Sequence, residues 1–356
     1  MRTVVAFIVL LVSSLHAAVM VQELVPWALA DGSVTSFSVN GHCGVGDSMY
    51  ICLDGVNRSQ IVRIDDLAGT PVRTQLVSAA QWLVASGKTA MNTSSGFGVV
   101  GDYLQMAEPA TDEIWRYNLT NGALFRYCDN AAIRAVSGKV TLQFVANSPP
   151  EPFSGEQVIY DSVSRCMFLI TGSNQVSYFI TALQLSNLYG DAYVANCMAY
   201  DTQGNLYWGH NGSDSFYMRT SNGVLQIALA SNAIYAATAI SNVGFSAMCY
   251  APDNKFYFMD SVSSSILSFD PHAPDPAATV QVLITEDELT NSIAGAAAYN
   301  ITGLSWFGTG MGLTFNNEYG GGVYRIVPEP AGLAFGALLF FLRPVRPVRQ
   351  VRLAQP

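Results

Sequence analysis

Short stretches rich in aromatic and β-branched residues recur in pairs along most of the chain, and several alternate apolar with polar positions. The pairs are 48–53 with 60–65, 102–107 with 113–118, 165–170 with 175–180, 205–210 with 215–220, 255–260 with 265–270, and 303–308 with 322–327. Each stretch has the length and composition of a buried β-strand. Gly, Asn, Asp and Ser, which tolerate turn geometry, separate the members of most pairs. A further short strand ending in tyrosine precedes four of the pairs, at Tyr160, Tyr200, Tyr250 and Tyr299, and a fourth strand follows, as at 224–229 and 279–284. Four strands per unit, repeating roughly every 40–60 residues, is the blade pattern of a β-propeller. The pattern predicts an all-β, six-bladed propeller over residues 32–326, closed by pairing of the stretch Ser33–Val39 with the last blade, which hides the open sheet edges. Seven blades is the alternative count, because 123–157 is long enough to hold another unit. A β-helix or a two-sheet sandwich is the alternative architecture.

The stretch Tyr200-Asp-Thr-Gln-Gly-Asn-Leu-Tyr207 resembles the NHL-repeat and gluconolactonase/regucalcin group of six-bladed propellers. That resemblance is carried best by the later blades and weakly by the first two. It implies a channel metal held by Glu, Asn and Asp side chains from several blades, acting on a lactone, but no ligand motif of that group can be placed here. Asn118, Asp260 and Asp270 lie at strand ends and are candidate oxygen ligands of the calcium type. Turn capping is the competing role for all three.

The two ends follow a different logic. Met1, Arg2 and Thr3 precede an apolar run to Val12, and Ala17 and Ala18 follow. One positive charge, a short apolar core and small residues make an export signal, with cleavage placed after Ala17, so residues 1–17 leave the mature chain. At the other end, Val327-Pro328-Glu329-Pro330 leads into the apolar run 331–342, and Arg343, Arg346, Arg349 and Arg352 come next. A rigid turn, an apolar helix and a basic stop form a membrane-retention signal, since the arginines stay on the cytoplasmic side. This ending, 327–352, resembles the PEP-CTERM sorting signal of bacterial exported proteins. The resemblance implies processing by an exosortase-type membrane enzyme and an association with exopolysaccharide or matrix. The apolar run is 12 residues, shorter than the roughly 20 that span a bilayer.

Charge narrows the partners. The chain has 17 basic residues, of which only Lys88, Lys139 and Lys255 are lysine, against 26 acidic ones. Removing both terminal signals removes Arg2 and the four C-terminal arginines, which takes the net charge from −9 to −14. A body this acidic is not a nucleic-acid binder, which needs a basic face.

Catalytic signatures are missing from the sequence. It has no His-Glu-x-x-His, no Gly-x-Ser-x-Gly, no phosphate-binding glycine loop and no Cys-x-x-Cys. No catalytic residue is predicted. His210, followed by Asn211-Gly-Ser-Asp214, is placed to cap a turn or to face the channel, with the turn favoured by Asn-Gly. Among six cysteines, Cys43 and Cys52 flank a glycine-rich turn and are the pair nearest to a disulfide in an exported chain. The functional expectation is an exported envelope or matrix propeller that binds a polysaccharide, protein or small ligand. Trp208 and Trp306 are candidate sugar-stacking rings that are also suited to packing between blades. The alternatives are a lactonase-like hydrolase using a divalent metal such as calcium, and an inert structural matrix protein.

Overall fold

The structure is a computed structural model that describes residues 19–26, 38–54, 59–91, 96–151, 154–191, 193–194, 197–292, 301–307, 312–317 and 322–328. The export signal 1–17 lies outside the described residues, as do Glu329, Pro330, the apolar run and Arg343, Arg346 and Arg349. Val327 and Pro328 end the last strand.

Six four-stranded antiparallel sheets make up the described body. The first strand among the described residues is β1 (Val19–Pro26). Blade 1 is β2 (Ser38–Val45), β3 (Ser48–Asp54), β4 (Gln60–Asp65) and β5 (Val72–Val77). Blade 2 is β6 (Phe97–Val100), β7 (Tyr103–Glu108), β8 (Glu113–Asn118) and β9 (Leu124–Cys128). Blade 3 is β10 (Phe144–Asn147), β11 (Gln157–Asp161), β12 (Cys166–Gly172) and β13 (Gln175–Ile180). Blade 4 is β14 (Met198–Tyr200), β15 (Leu206–His210), β16 (Ser215–Arg219) and β17 (Leu225–Leu229). Blade 5 is β18 (Phe245–Tyr250), β19 (Phe256–Asp260), β20 (Ser265–Phe269) and β21 (Gln281–Ile284). Blade 6 is β22 (Ile301–Phe307), β23 (Gly312–Asn317) and β24 (Gly322–Pro328), with β1 as its outermost strand.

First strands pack side by side from β14 to β18, β22, β2 and β6, so each blade starts at the centre and runs outward. The fold is a six-bladed β-propeller. Its ring closes with the N-terminal strand on the last blade, as propellers close, but the closing strand is β1 rather than Ser33–Val39. Ser38 and Val39 instead begin the first strand of blade 1, and the propeller therefore reaches further toward the N-terminus than residue 32. Arg325 donates from Nε to Gln22 Oε1 at 2.8 Å across that closure.

Apolar clusters fill the spaces between blades. One joins blades 6 and 1 through Val25, Val323, Met49, Ile51 and Leu53. Others join blades 1 and 2, 2 and 3, 3 and 4, and 4 and 5. Strands buried on both faces need apolar side chains at successive positions, which is why β15 and β19 are buried at every residue.

Helices join the blades, and the strand pattern did not predict them. They span Ala79–Ser86, Asn130–Ser137, Ala182–Tyr189, Ser231–Thr238 and Glu286–Ser292. Each of the first four places the residue four after its cap in a cluster between blades: Trp82, Ile133, Leu185 and Ile234. The stretch 123–157 that suggested a seventh blade contains β9, a helix, β10 and a long loop into β11. That loop also displaced the expected frame of blade 3, where 165–170 and 175–180 are the third and fourth strands rather than the second and third. In blade 6, the described part of 303–308, up to Phe307, belongs to the first strand, and β23 escaped the pattern.

Candidate functional site

Strand direction alternates across each blade, so the helical connections between blades and the turns joining second to third strands emerge at the same end. These turns share one frame in four blades. The second strand ends in Glu108, Asp161, His210 or Asp260. Four turn residues follow, of which the third carries a hydroxyl (Thr111, Ser164, Ser213, Ser263) and the fourth is left-handed. Those last residues are Asp112, Arg165, Asp214 and Ser264, with φ of 53°, 57°, 52° and 50°.

The carboxylates at the strand end are committed to backbone. Asp161 accepts from the N–H of Ser164 (2.8 Å) and of Gln143 in the preceding connection (2.6 Å). Asp260 accepts from the N–H of Gly244 and Val262, and from both the N–H and hydroxyl of Ser263. Four donors occupy the lone pairs of one carboxylate, leaving Asp260 none for a cation.

His210 holds the equivalent place in blade 4. Its Nδ1 accepts from Ser213 N–H at 3.0 Å and lies 2.7 Å from Ser213 Oγ. Its Nε2 is 3.0 Å from Asp191 Oδ1, in the connection from blade 3. Tyr189 stacks on the ring with centroids 3.9 Å apart, and the Tyr217 hydroxyl is 3.0 Å from Ser213 Oγ. The histidine therefore caps its turn, as the Asn-Gly sequence favoured, and contacts Asp191 as well. Burial pushes the Asp191 carboxyl up, but the Tyr193 N–H, the His210 ring and Arg165 more than offset it, so its pKa lies below the ordinary value.

The other predicted ligands lie apart. Asn118 Oδ1 accepts from the N–H of Thr120 and Asn121 in the third-to-fourth turn of blade 2. Asp270 caps the equivalent connection of blade 5 through His272 N–H. Both are at the end opposite Asp260, on different blades. Among the described residues, no group of three or more His, Cys, Asp or Glu is gathered for a metal.

Cys43 and Cys52 are not joined by a disulfide. Cys52 sits opposite Gly41 and Cys43 opposite Tyr50, so the two lie diagonally across the ladder rather than facing each other. Burial pushes the thiols of Cys128 and Cys197 up to about 12, which keeps them from acting as nucleophiles. Trp208 is fully buried, and Trp306 stacks on Tyr257 at 5.8 Å; these are packing rings.

The face formed by the connections and second-to-third turns carries conspicuous exposed aliphatic side chains. Val84, Val140 and Leu183 are 87%, 85% and 70% exposed, and Val163, Tyr193 and Val262 are also exposed there.

No protein-family model matches the chain, and no curated protein matches it in sequence. Solved structures do match in shape. A protein of unknown function from Bacteroides thetaiotaomicron superposes with a TM-score of 0.58 at 12% identity, covering 87% of this chain and 76% of that one. Virginiamycin B lyase from Staphylococcus aureus gives 0.54 at 13%, covering 87% and 99%. YCF48 bound to D1 peptide gives 0.50 at 10%, covering 87% and 97%. At these identities the likeness is one of fold: the chain shares the propeller architecture of proteins with different activities.

Proposed function

We propose that this chain is an exported bacterial envelope or matrix protein whose propeller binds a partner on the face of the helical connections, with a PEP-CTERM-like tail directing it to an exosortase-type enzyme. The observation that carries the binding reading is the set of exposed aliphatic residues on that face, led by Val84, Val140 and Leu183. Aliphatic side chains outweigh the exposed Tyr193 on this face and favour a protein or peptide over a polysaccharide, because sugar rings are held by stacked aromatic faces and the described tryptophans serve packing. A propeller neighbour holding a peptide supports the same class of partner. The acidic body, at −14 without its terminal signals, selects against acidic partners.

The triple variant V84D/V140D/L183D tests the binding face. The side chains are exposed, so the melting temperature should hold while capture of envelope proteins from the producing cell falls at least about tenfold. Equal capture by both forms would remove this face from the proposal. Sorting is tested separately. Replacing Pro328-Glu329-Pro330 by alanines should change the intact mass of the mature protein, and an unchanged mass would refute tail processing.

A further inference from the structure

The propeller contains its own control for the cluster at His210. Four turns share one frame and a hydroxyl at the third position. In three of them the strand-end residue is a carboxylate, and in blade 5 Ser263 Oγ donates to Asp260 Oδ2 at 2.6 Å. Only blade 4, among these four, places an imidazole there. In blades 3 and 5 the carboxylate accepts both from its turn and from the preceding connection. A neutral imidazole accepts at one nitrogen only, and here the connection supplies an acceptor of its own, Asp191.

That exchange sets the tautomer. Ser213 N–H can only donate, and it points at Nδ1 from 3.0 Å. Nδ1 is therefore the unprotonated nitrogen, and Nε2 donates its hydrogen to Asp191 Oδ1 at 3.0 Å. The remaining contact, 2.7 Å from Nδ1 to Ser213 Oγ, puts a hydroxyl on the basic nitrogen of an imidazole oriented by a carboxylate. Acid, base and nucleophile stand in hydrogen-bond series, which is how an activated serine is recognised whatever its fold. The ring is 1% exposed and is pinned by Tyr189, whereas Ser213 is partly open to solvent. Gly212 lets the turn lie against the ring edge, since a Cβ there would meet His210 Cε1 at 3.0 Å.

We infer that Asp191, His210 and Ser213 form an acyl-transfer site on the face of blade 4, beyond the binding role proposed above. Ser213 Oγ attacks the carbonyl carbon of an ester, and its proton passes to His210 Nδ1. The imidazolium is stabilised by Asp191. Collapse of the tetrahedral adduct expels the alcohol, which takes the proton from Nδ1. Water then attacks the acyl-serine through the same base, releasing the acid and restoring the serine hydroxyl. The Tyr217 hydroxyl, 3.0 Å from Oγ, fixes the orientation of the serine side chain toward Nδ1. Asp191, exposed beside the site, and the acidic body select neutral or cationic esters.

The test is reaction of the purified full chain with a neutral fluorophosphonate, followed by peptide mass mapping, with 4-nitrophenyl acetate hydrolysis in parallel. The expected result is a single adduct on Ser213, none on Ser263, and no adduct or ester turnover in Ser213→Ala. Asp191→Asn acts as a positioning variant. Its labelling rate should fall about 100-fold with the melting temperature unchanged, because that side chain is 54% exposed. No adduct at Ser213, equal labelling of Ser263, or a D191N rate equal to that of the parent would each overturn the inference.

Discussion

The helix Ser231–Thr238 lacks both end signals that its counterparts carry, and restoring them should stabilise the propeller. Ser78, Asp129 and Thr181 each accept a backbone N–H at the helix start, whereas Ala230 holds the same extended conformation (φ −80°, ψ 152°) with no side-chain cap. At the other end Gly87, Gly138 and Gly190 take the left-handed conformation, where this helix has Ala239 at φ 58°. All four end residues donate to a helix carbonyl at 2.8 or 2.9 Å, so the motif is the same and only the residue differs. A serine cap contributes about 1 kcal/mol over alanine. Relief of left-handed strain contributes roughly 1–2 kcal/mol, less about 0.4–1 for the freer unfolded chain. The double variant A230S/A239G should therefore gain about 1–2.5 kcal/mol, with the two changes additive at opposite ends of the helix. In a unit of this size that raises the melting temperature by about 3 °C. Urea unfolding followed by tryptophan fluorescence measures the gain as a higher midpoint at constant slope. The converse pair D129A/G138A should lose a similar amount, since a Cβ at Gly138 meets nothing within 4 Å and only backbone strain is added there. A double variant no more stable than the parent, alongside a destabilised converse pair, would refute the equivalence of the caps.

Asp112 offers a pH prediction. Burial pushes its carboxyl up to about 6, although it accepts from Phe144 N–H at 3.0 Å. The folded state then binds the proton more tightly than the unfolded state, so this group's contribution to stability falls as pH rises from about 4 to about 6. Asp112→Asn should remove that slope and stabilise the protein at pH 7, since the amide oxygen still accepts and Asn tolerates the left-handed conformation. Denaturation midpoints at pH 4 and pH 7 check it, and an unchanged slope would refute it. A third prediction concerns the packing of blades 4 and 5. A Cβ on Gly209 would lie 2.6 Å from Phe245 Cγ, so Gly209→Ala should cost about 1–3 kcal/mol. Phe245→Leu should recover part of that loss in a double-mutant cycle, and additive losses would show that the two sites do not clash.

Much of the architecture was legible because a blade is built from local signals. Alternation marked most strands, and polar turns separated them at a repeating interval. The helices were legible too, though unread: Ser78-x-x-Gln81, Thr181-x-x-Gln184 and Thr285-x-x-Glu288 are capping-box sequences. Each opens a segment of only seven or eight residues, too short for helical periodicity to stand out beside the strands. The slipped frame in blade 3 has a similar cause, since its long loop separates the first strand from the second.

The sequence by itself determined the strands, the turn chemistry and the six-fold repetition, because these depend on contacts between near neighbours. His210 and Ser213 belong to that class, three residues apart in one turn. Tertiary structure alone decided that Val19–Pro26 closes the ring on a strand some 300 residues away, and that Asp191 meets His210 across 19 residues. Both pairings follow from the curvature of the packed ring, which brings the end of one blade's connection over the next blade's turn. That curvature is a sum over all the clusters between blades, and no single stretch of sequence carries it.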